Sequence, residues 1–276
     1  MLNFNGTLVD HEATPMLNRG FSYGDAVFET IKMNHGKMLF WEDHYFRLMA
    51  SMRILRMKIP MDFTMEFIEQ QILSLVKAQN LENARIRMTV YRNQGGFYLP
   101  KTNEISYIIE AHALPTIIFA AADVYEVELF KDFHIGKHLL STLKTTNKLI
   151  QITASIFAEE NGYQSCLLMN DDKNIVEAIS GNLFMVTHNT IVTPPLSEGC
   201  LNGIMRKQII ALLKKNVTFQ WEERAISPFE LQKADELFIT NVIVGIQPIT
   251  KYRKKNYATS VSKQLTVMLN ELISLP

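Results

Sequence analysis

The chain is poor in cysteine, with Cys166 and Cys200 alone among 276 residues. That rules out a disulfide framework and fits a reducing cytoplasm. It also lacks net charge, since 28 Lys plus Arg stand against 28 Asp plus Glu. No run of one sign is long enough to grip a polyanion, so nucleic acid and anionic membrane lose ground as partners. No uninterrupted apolar run reaches the ~18 residues of a membrane span. The opening stretch MLNFNGTLVDHEATP has neither the basic nor the apolar region of a signal peptide. The familiar chemical motifs are missing too: no G-x-x-x-x-G-K-[ST], no G-x-G-x-x-G, no H-E-x-x-H and no G-x-S-x-G. The seven histidines are scattered, and none pairs with a cysteine at metal-ligand spacing. P-loop phosphoryl transfer, hydride transfer, zinc chemistry and the common serine hydrolases recede together, and no metal is expected.

What remains is an ordinary globular composition, 47% hydrophobic and 20% charged, with 14 Met and 16 Phe as core filler. Residues 7–44 read as strands separated by turns, with NHGK as a hairpin signal. Helical spacing of Tyr45, Leu48, Met49, Met52 and Leu55 predicts a helix from Glu42 to about Met57, and Asp62 is expected to cap a second one. ARIRMTVYR and EISYIIEAHAL read as strands around the loop NQGGFYLPKTN. A linker is expected near residues 112–120, which divides the chain into 1–115 and 116–276. The second part opens with a helix after Lys144, capped from Thr145, Thr146 or Asn147. Short strands follow, turning at NDDKN and THNT, and then the helix LNGIMRKQIIALLKKN. Ser227-Pro228-Phe229-Glu230 reads as a capping box, ELFITN as a buried strand and residues 257–274 as a closing helix. Helices and strands mix without a βαβ rhythm, which points to two domains of the α/β (α+β) class.

Several residues invite a chemical reading, each with a plain structural alternative. Gly203 opens a helix, so Gly203, Ile204 and Met205 can offer backbone N–H groups to an anion, or simply turn the chain. Thr240 and Asn241 end a strand and can donate or merely turn. Arg47 has the donor fork that grips phosphate, and is otherwise a solvated arginine. Glu177 lies among Val176, Ala178, Leu183 and Phe184, where a carboxylate needs a cationic partner. Lys144 is either a surface lysine or a reacting amine. Taken together, an amine, a carboxylate and a phosphate cradle are what pyridoxal phosphate requires.

RGFSYGDAVFETI, HYFRL, LKTTNKL, VEAISGNLF, LNGIMRK and ELFITN…GIQPI follow the order and spacing of the fold-type IV pyridoxal phosphate enzymes. Over residues 18 to 250 the chain resembles this class IV aminotransferase family, which includes branched-chain and D-amino acid aminotransferases and aminodeoxychorismate lyase. The resemblance implies a smaller N-terminal α/β domain, a larger C-terminal domain with a barrel-like sheet, the cofactor between them, and a homodimer. It makes Lys144 the cofactor-bonded lysine, Glu177 the partner of the pyridine nitrogen, and Arg47, Gly203–Met205 and Thr240-Asn241 the phosphate ligands. Ser180 and Asn182 support the cofactor loop. Tyr23, Phe28, Arg92 and Tyr98 are the substrate-side candidates, with Arg92 either holding a carboxylate or anchoring its loop. Val242 and Met205 stand where many aminotransferases have a small hydroxyl residue. Asn241 followed by an apolar residue is nearer the lyase branch, whereas Phe97 in the GG loop is not. The expected activity is amino transfer between a branched-chain-like amino acid and a 2-oxo acid. The alternatives are the lyase, releasing pyruvate and 4-aminobenzoate, and a noncatalytic binding protein on the same scaffold.

Overall fold

The computed structural model describes residues 1–10, 18–115, 119 and 121–274. Part of the expected N-terminal strand-and-turn region and part of the expected linker lie outside the described residues. The chain forms two compact units: Met1–Ile117 with Lys144–Asn147, and Ile118–Leu143 with Lys148–Pro276.

The first unit is built on a sheet of β1 (Leu2–Phe4), β2 (Thr7–Val9), β3 (Ala26–Asn34), β4 (Lys37–Met38), β5 (Ala84–Arg92) and β6 (Ile105–Ala113). The strands lie in the order β2-β1-β6-β5-β3-β4 and every pairing is antiparallel. Alternation along β3 and β5 sorts residues to two faces. Val27, Ile31, Met33, Ile86, Met88 and Val90 pack with Leu48, Met52, Ile68, Ile72 and Leu75 of α2 (Trp41–Ile54) and α3 (Met65–Ala78). Each such side chain contributes roughly 1.5–3 kcal/mol through burial. The other face carries Phe28, Thr30, Arg87 and Thr89, with Phe28 opposite Thr89 and Thr30 opposite Arg87.

Two expectations are corrected here. The cap of α3 is Thr64, whose hydroxyl accepts from Phe67 N–H at 3.2 Å, and not Asp62. The stretch read as strands before β3 contains the short helix α1 (Arg19–Tyr23). Asn18 caps it and Gly24 ends it in the left-handed region, φ 64°, a conformation that favours glycine.

The second unit holds a ten-stranded sheet that branches at β10 (Gly181–Thr187). That strand pairs with β9 (Ile175–Ala178), β11 (Thr190–Thr193) and β13 (Glu236–Asn241). One arm continues through β8 (Ser165–Met169), β7 (Glu126–Leu129), β15 (Lys251–Tyr252) and β16 (Lys255–Asn256). β12 (Gln220–Glu223) flanks β11, and β14 (Gly245–Ile249) flanks β13. Leu167, Leu183, Met185, Leu237, Ile239, Ile249 and Tyr252 fill its interior. Four helices complete it: α4 (Leu149–Glu160), α5 (Ile204–Lys215), α6 (Pro228–Leu231) and α7 (Ser260–Ser274). Ser227 and Glu230 form the expected capping box of α6. Among the described residues no helix is long and apolar enough to cross a membrane.

Candidate active site

Lys144 does not stand at a helix mouth. α4 starts five residues later, and its cap position is Lys148, without a side-chain cap. Residues 144–146 instead run extended beside β3. Phe28 N–H donates to Lys144 O at 2.8 Å and Thr146 N–H to Ala26 O at 3.1 Å. The residues expected to cap the helix serve this pairing, and Asn147 Nδ2 donates to Gly24 O at 3.1 Å. A Cβ at Gly24 would collide with the Asn147 amide, so glycine is required there twice over.

The strand register puts Lys144 on the Phe28 side of the sheet, with its Nζ 4.6 Å from the Phe28 ring centroid. The guanidinium of Arg87 lies 3.9 Å from the same centroid. Two cations thus share one aromatic ring, a placement in which each gains from the ring's negative face. The sequence reading missed Arg87, although the alternation of Arg85, Arg87, Thr89 and Tyr91 with Ile86, Met88 and Val90 was the signal.

Arg47 lies on the helix-facing side. Its Nε and Nη2 donate to the two oxygens of Glu29, at 2.8 and 2.5 Å. His44 Nδ1 is 2.7 Å from Glu29 Oε2. Glu29 and His44 are buried and Arg47 is largely so. Burial opposes the charge on Glu29, but Arg47 and the hydrogen bonds from His44 and Arg47 outweigh it and hold the carboxyl at about 2. Burial depresses the basicity of His44, and the nearby Arg47 and Lys144 charges add to this despite Glu29. His44 is therefore neutral, with Nδ1–H donating to an ionised carboxylate. Glu29 and His44 were also missed, although a carboxylate between Val27 and Ile31 signals a buried cation.

Arg92 is the clearest departure. Its Nε donates to Asp25 at 2.9 Å, Nη2 to Leu55 O at 2.6 Å, and Nη1 to Arg56 O at 3.2 Å and to the Asn103 side chain. Asp25 also takes Arg19, whose Nη1 reaches Phe97 O at 2.7 Å. These contacts are all to the chain itself, the geometry of a loop anchor and not of a carboxylate clamp. Tyr23 and Tyr98 face each other with ring centroids 6.1 Å apart, and Tyr98 is 92% exposed.

In the second unit, Glu177 on β9 is buried, with Oε2 accepting from Leu201 N–H at 2.8 Å and Oε1 from Gln151 Nε2 at 3.4 Å. Leu201 leads into Gly203, the cap of α5, which has no side-chain cap and is followed by the buried Ile204 and Met205. Asn182 is also buried and its Nδ2 donates to Leu201 O at 2.8 Å. A Cβ at 203 would collide with Asn182 Oδ1, so glycine lets the helix start approach β10. Thr240 pairs with Asn182 across the β10–β13 ladder, and its Oγ1 is buried with no partner among the described residues. Asn241 Oδ1 accepts from Ile243 and Val244 N–H, both at 3.0 Å, closing the turn after β13. Ser180 is exposed in the turn between β9 and β10. Glu177, Asn182, Gly203 and Thr240 therefore converge, and the uncapped helix start beside an orphaned hydroxyl is a place for an anion.

The model of the amino-transferase class IV family matches residues 26–252. A putative branched-chain-amino-acid aminotransferase of Methanocaldococcus jannaschii is 29% identical over 248 residues, covering 89% of this chain and 85% of that protein. A D-alanine aminotransferase of Bacillus licheniformis is 24% identical, covering 95% and 92%. A crystal structure of the branched-chain aminotransferase of Thermoproteus uzoniensis with norvaline superposes with a TM-score of 0.87 at 23% identity, covering 99% and 94%. With the matched segment running from the strand under Lys144 to the last strands of the second sheet, the chain belongs to the class IV aminotransferases, enzymes that work with pyridoxal phosphate.

Proposed function

We propose that the protein moves an amino group between a branched-chain-like amino acid and a 2-oxo acid, with Lys144 as the reacting amine. The observation that carries this reading is the pairing of Lys144 and Arg87 on the Phe28 ring. It sets a cation suited to a substrate carboxylate beside an amine suited to proton transfer. The M. jannaschii relative's name supports the branched-chain class.

The residues of the second unit fit the cofactor's phosphate. The orphaned Thr240 hydroxyl and the uncapped α5 start offer donors without needing a small hydroxyl at Met205 or Val242. Within the second unit, Gly203, Ile204, Met205, Thr240 and Asn241 would hold the phosphate, and Ser180 and Asn182 would support the loop. Bound there, pyridoxal phosphate supplies an electron sink for the pair left when the substrate Cα–H is broken. Glu177, oriented by the Leu201 N–H, would hold a proton on the pyridine nitrogen. Lys144 would take the substrate's Cα proton and return it. Phe28 covers one side of that amine and limits water. Arg87 orients the substrate through its carboxylate, using the donor fork that a lysine lacks.

The same reading makes the protein a homodimer. The loop after β5 exposes Phe97, Tyr98 and Leu99 at 84%, 92% and 85%, an apolar edge suited to a second copy. Both cysteines are free and buried, which supports a reducing, cytoplasmic setting. The decisive experiment adds a panel of L- and D-amino acids to the yellow holoenzyme and follows its spectrum. Conversion to the pyridoxamine form by L-Leu, L-Val or L-Ile supports the reading. Conversion by D-Ala alone, or pyruvate release from aminodeoxychorismate without conversion, overturns it.

A further inference from the structure

We propose that Arg206 is a positioning residue that braces the first turn of α5 against the ends of β11 and β12 and so keeps the amides of that turn ordered for the cofactor phosphate. The inference rests on the reading of the α5 start as the phosphate site, and every residue it uses lies in the second unit.

The sequence of α5 does not cap its own start. Gly203 stands at the cap position with no side chain to accept from the first turn, and that turn holds no acid. Its third residue is Arg206, at the position that Glu230 fills in the capping box of α6. An acid there would occupy the free amides and repel an anion, whereas a cation opposes the helix dipole and needs another reason to be there. The donors of Ile204 and Met205 are thereby left to a ligand.

The reason for the arginine is the tie it makes. Its side chain is buried, and Nη2 donates to Pro194 O at 2.9 Å and to the Glu223 carboxylate. Both acceptors sit where strands stop: Glu223 ends β12 and pairs with Thr193, the last residue of β11, and Pro194 follows. One nitrogen makes both contacts, while Nε is buried with no partner among the described residues. At the other end of the same connection, Asn182 Nδ2 holds Leu201 O at 2.8 Å. The segment that delivers Gly203 to the helix is thus fixed at Pro194 by Arg206 and at Leu201 by Asn182. A donor set ordered in advance loses little freedom when an anion arrives.

The test compares dissociation constants of pyridoxal phosphate and pyridoxal on the full-length apoprotein, with melting as a check on folding. The two ligands share ring and aldehyde, so their ratio isolates the phosphate end and does not move with a general loss of structure. Ile204→Pro checks the site itself: it removes one amide N–H, and Gly203 already has the extended backbone that precedes a proline, ψ 136°. It should weaken pyridoxal phosphate about 10-fold and pyridoxal by less than about threefold. Arg206→Met keeps the stem without the donors and should weaken pyridoxal phosphate about 10- to 100-fold, with pyridoxal again within about threefold. Arg206→Lys, whose single ammonium can make both contacts as Nη2 does, should recover to within about threefold of wild type. Glu223→Ala separates a brace from a mere field, because the signs differ. Loss of the brace weakens pyridoxal phosphate, by about 3- to 10-fold, whereas loss of a nearby negative charge tightens it. Unchanged or tighter binding in Glu223→Ala, no recovery with lysine, or an unchanged ratio in Arg206→Met overturns the proposal, and a weakened Ile204→Pro then leaves the phosphate site standing. An unchanged ratio in Ile204→Pro overturns both. If Arg206→Met does not fold, the sign of the change in Glu223→Ala decides.

Discussion

The two faces of the first sheet treat charge in opposite ways. On the helix side, Glu29 is buried under α2 and bonded to both Arg47 and His44. On the other side, Lys144 and Arg87 both lie against the Phe28 ring. Alternation along β3 is all that separates Glu29 from Phe28, and a one-residue slip would exchange the two roles. Among the described residues of the first unit, the face packed on α2 and α3 holds the buried acid–base group and the opposite face holds the two cations.

The largest expected effect breaks the face that carries the two cations. Lys144→Ala should remove the amine, and with it turnover by at least the ~10²- to 10⁴-fold that a positioned acid–base group contributes. The melting temperature should hold, because the segment's pairing with β3 uses backbone atoms. Borohydride reduction and peptide mapping check the assignment, and labelling at Lys148 would refute it. In the second unit, Glu177→Gln should keep the cofactor and lose roughly 10²- to 10³-fold in turnover, as for removal of an electrostatic partner of the transition state. Activity within a few-fold of wild type would make Glu177 a structural tie to Leu201.

Arg87→Gln sharpens the comparison by removing one cation and leaving the other. The substrate KM should rise about 10- to 100-fold, while cofactor affinity stays put. An unchanged KM would mean that Arg87 only stacks. Arg92→Ala is the contrasting arginine on the same strand. It should cost roughly 3 kcal/mol of stability, the lower range for breaking a buried pair, because Asp25 keeps Arg19. Its KM should stay within experimental error, and a rise there would return the carboxylate role to it.

The contrast between Arg87 and Arg92 marks how far the sequence was legible. Strand alternation and the turns at Asn34–Lys37 and after Met169 were readable because they are local, and the structure has them there. Lys144 and Phe28 were brought together in the reading only by the resemblance, since the strand pairing that joins them is one that no local pattern encodes. That pairing also explains the misplaced helix start: Thr145, Thr146 and Asn147 have capping chemistry, but tertiary partners at Ala26 and Gly24 use it first. Arg92 looked functional because it ends a strand before a glycine loop. The carbonyls of Leu55 and Arg56 that hold it come from the far end of α2, which spacing does not show.

The smallest effect tests the helix-packed face by pH. Glu29 is held at about 2 against an ordinary 4.5, so folding favours its ionised form. Its contribution is fully present above about 4.5 and is lost as pH falls toward 2, because the unfolded chain then binds a proton that the native one refuses. One unit below the ordinary value the loss is about 1.4 kcal/mol, the linkage value for a single group. His44 shifts the same way in stability: its lowered basicity means the unfolded chain protonates first, so stability begins to fall below its ordinary 6.5. Urea midpoints of the apoprotein between pH 7 and 3.5 should therefore decline in two stages. In Glu29→Gln the lower stage should flatten, since an amide does not titrate, and His44 should lose the upward pull of the carboxylate. A lower stage of unchanged steepness in that variant would show that acid acts on other carboxylates and that the helix-packed face is not where the first sheet is sensitive.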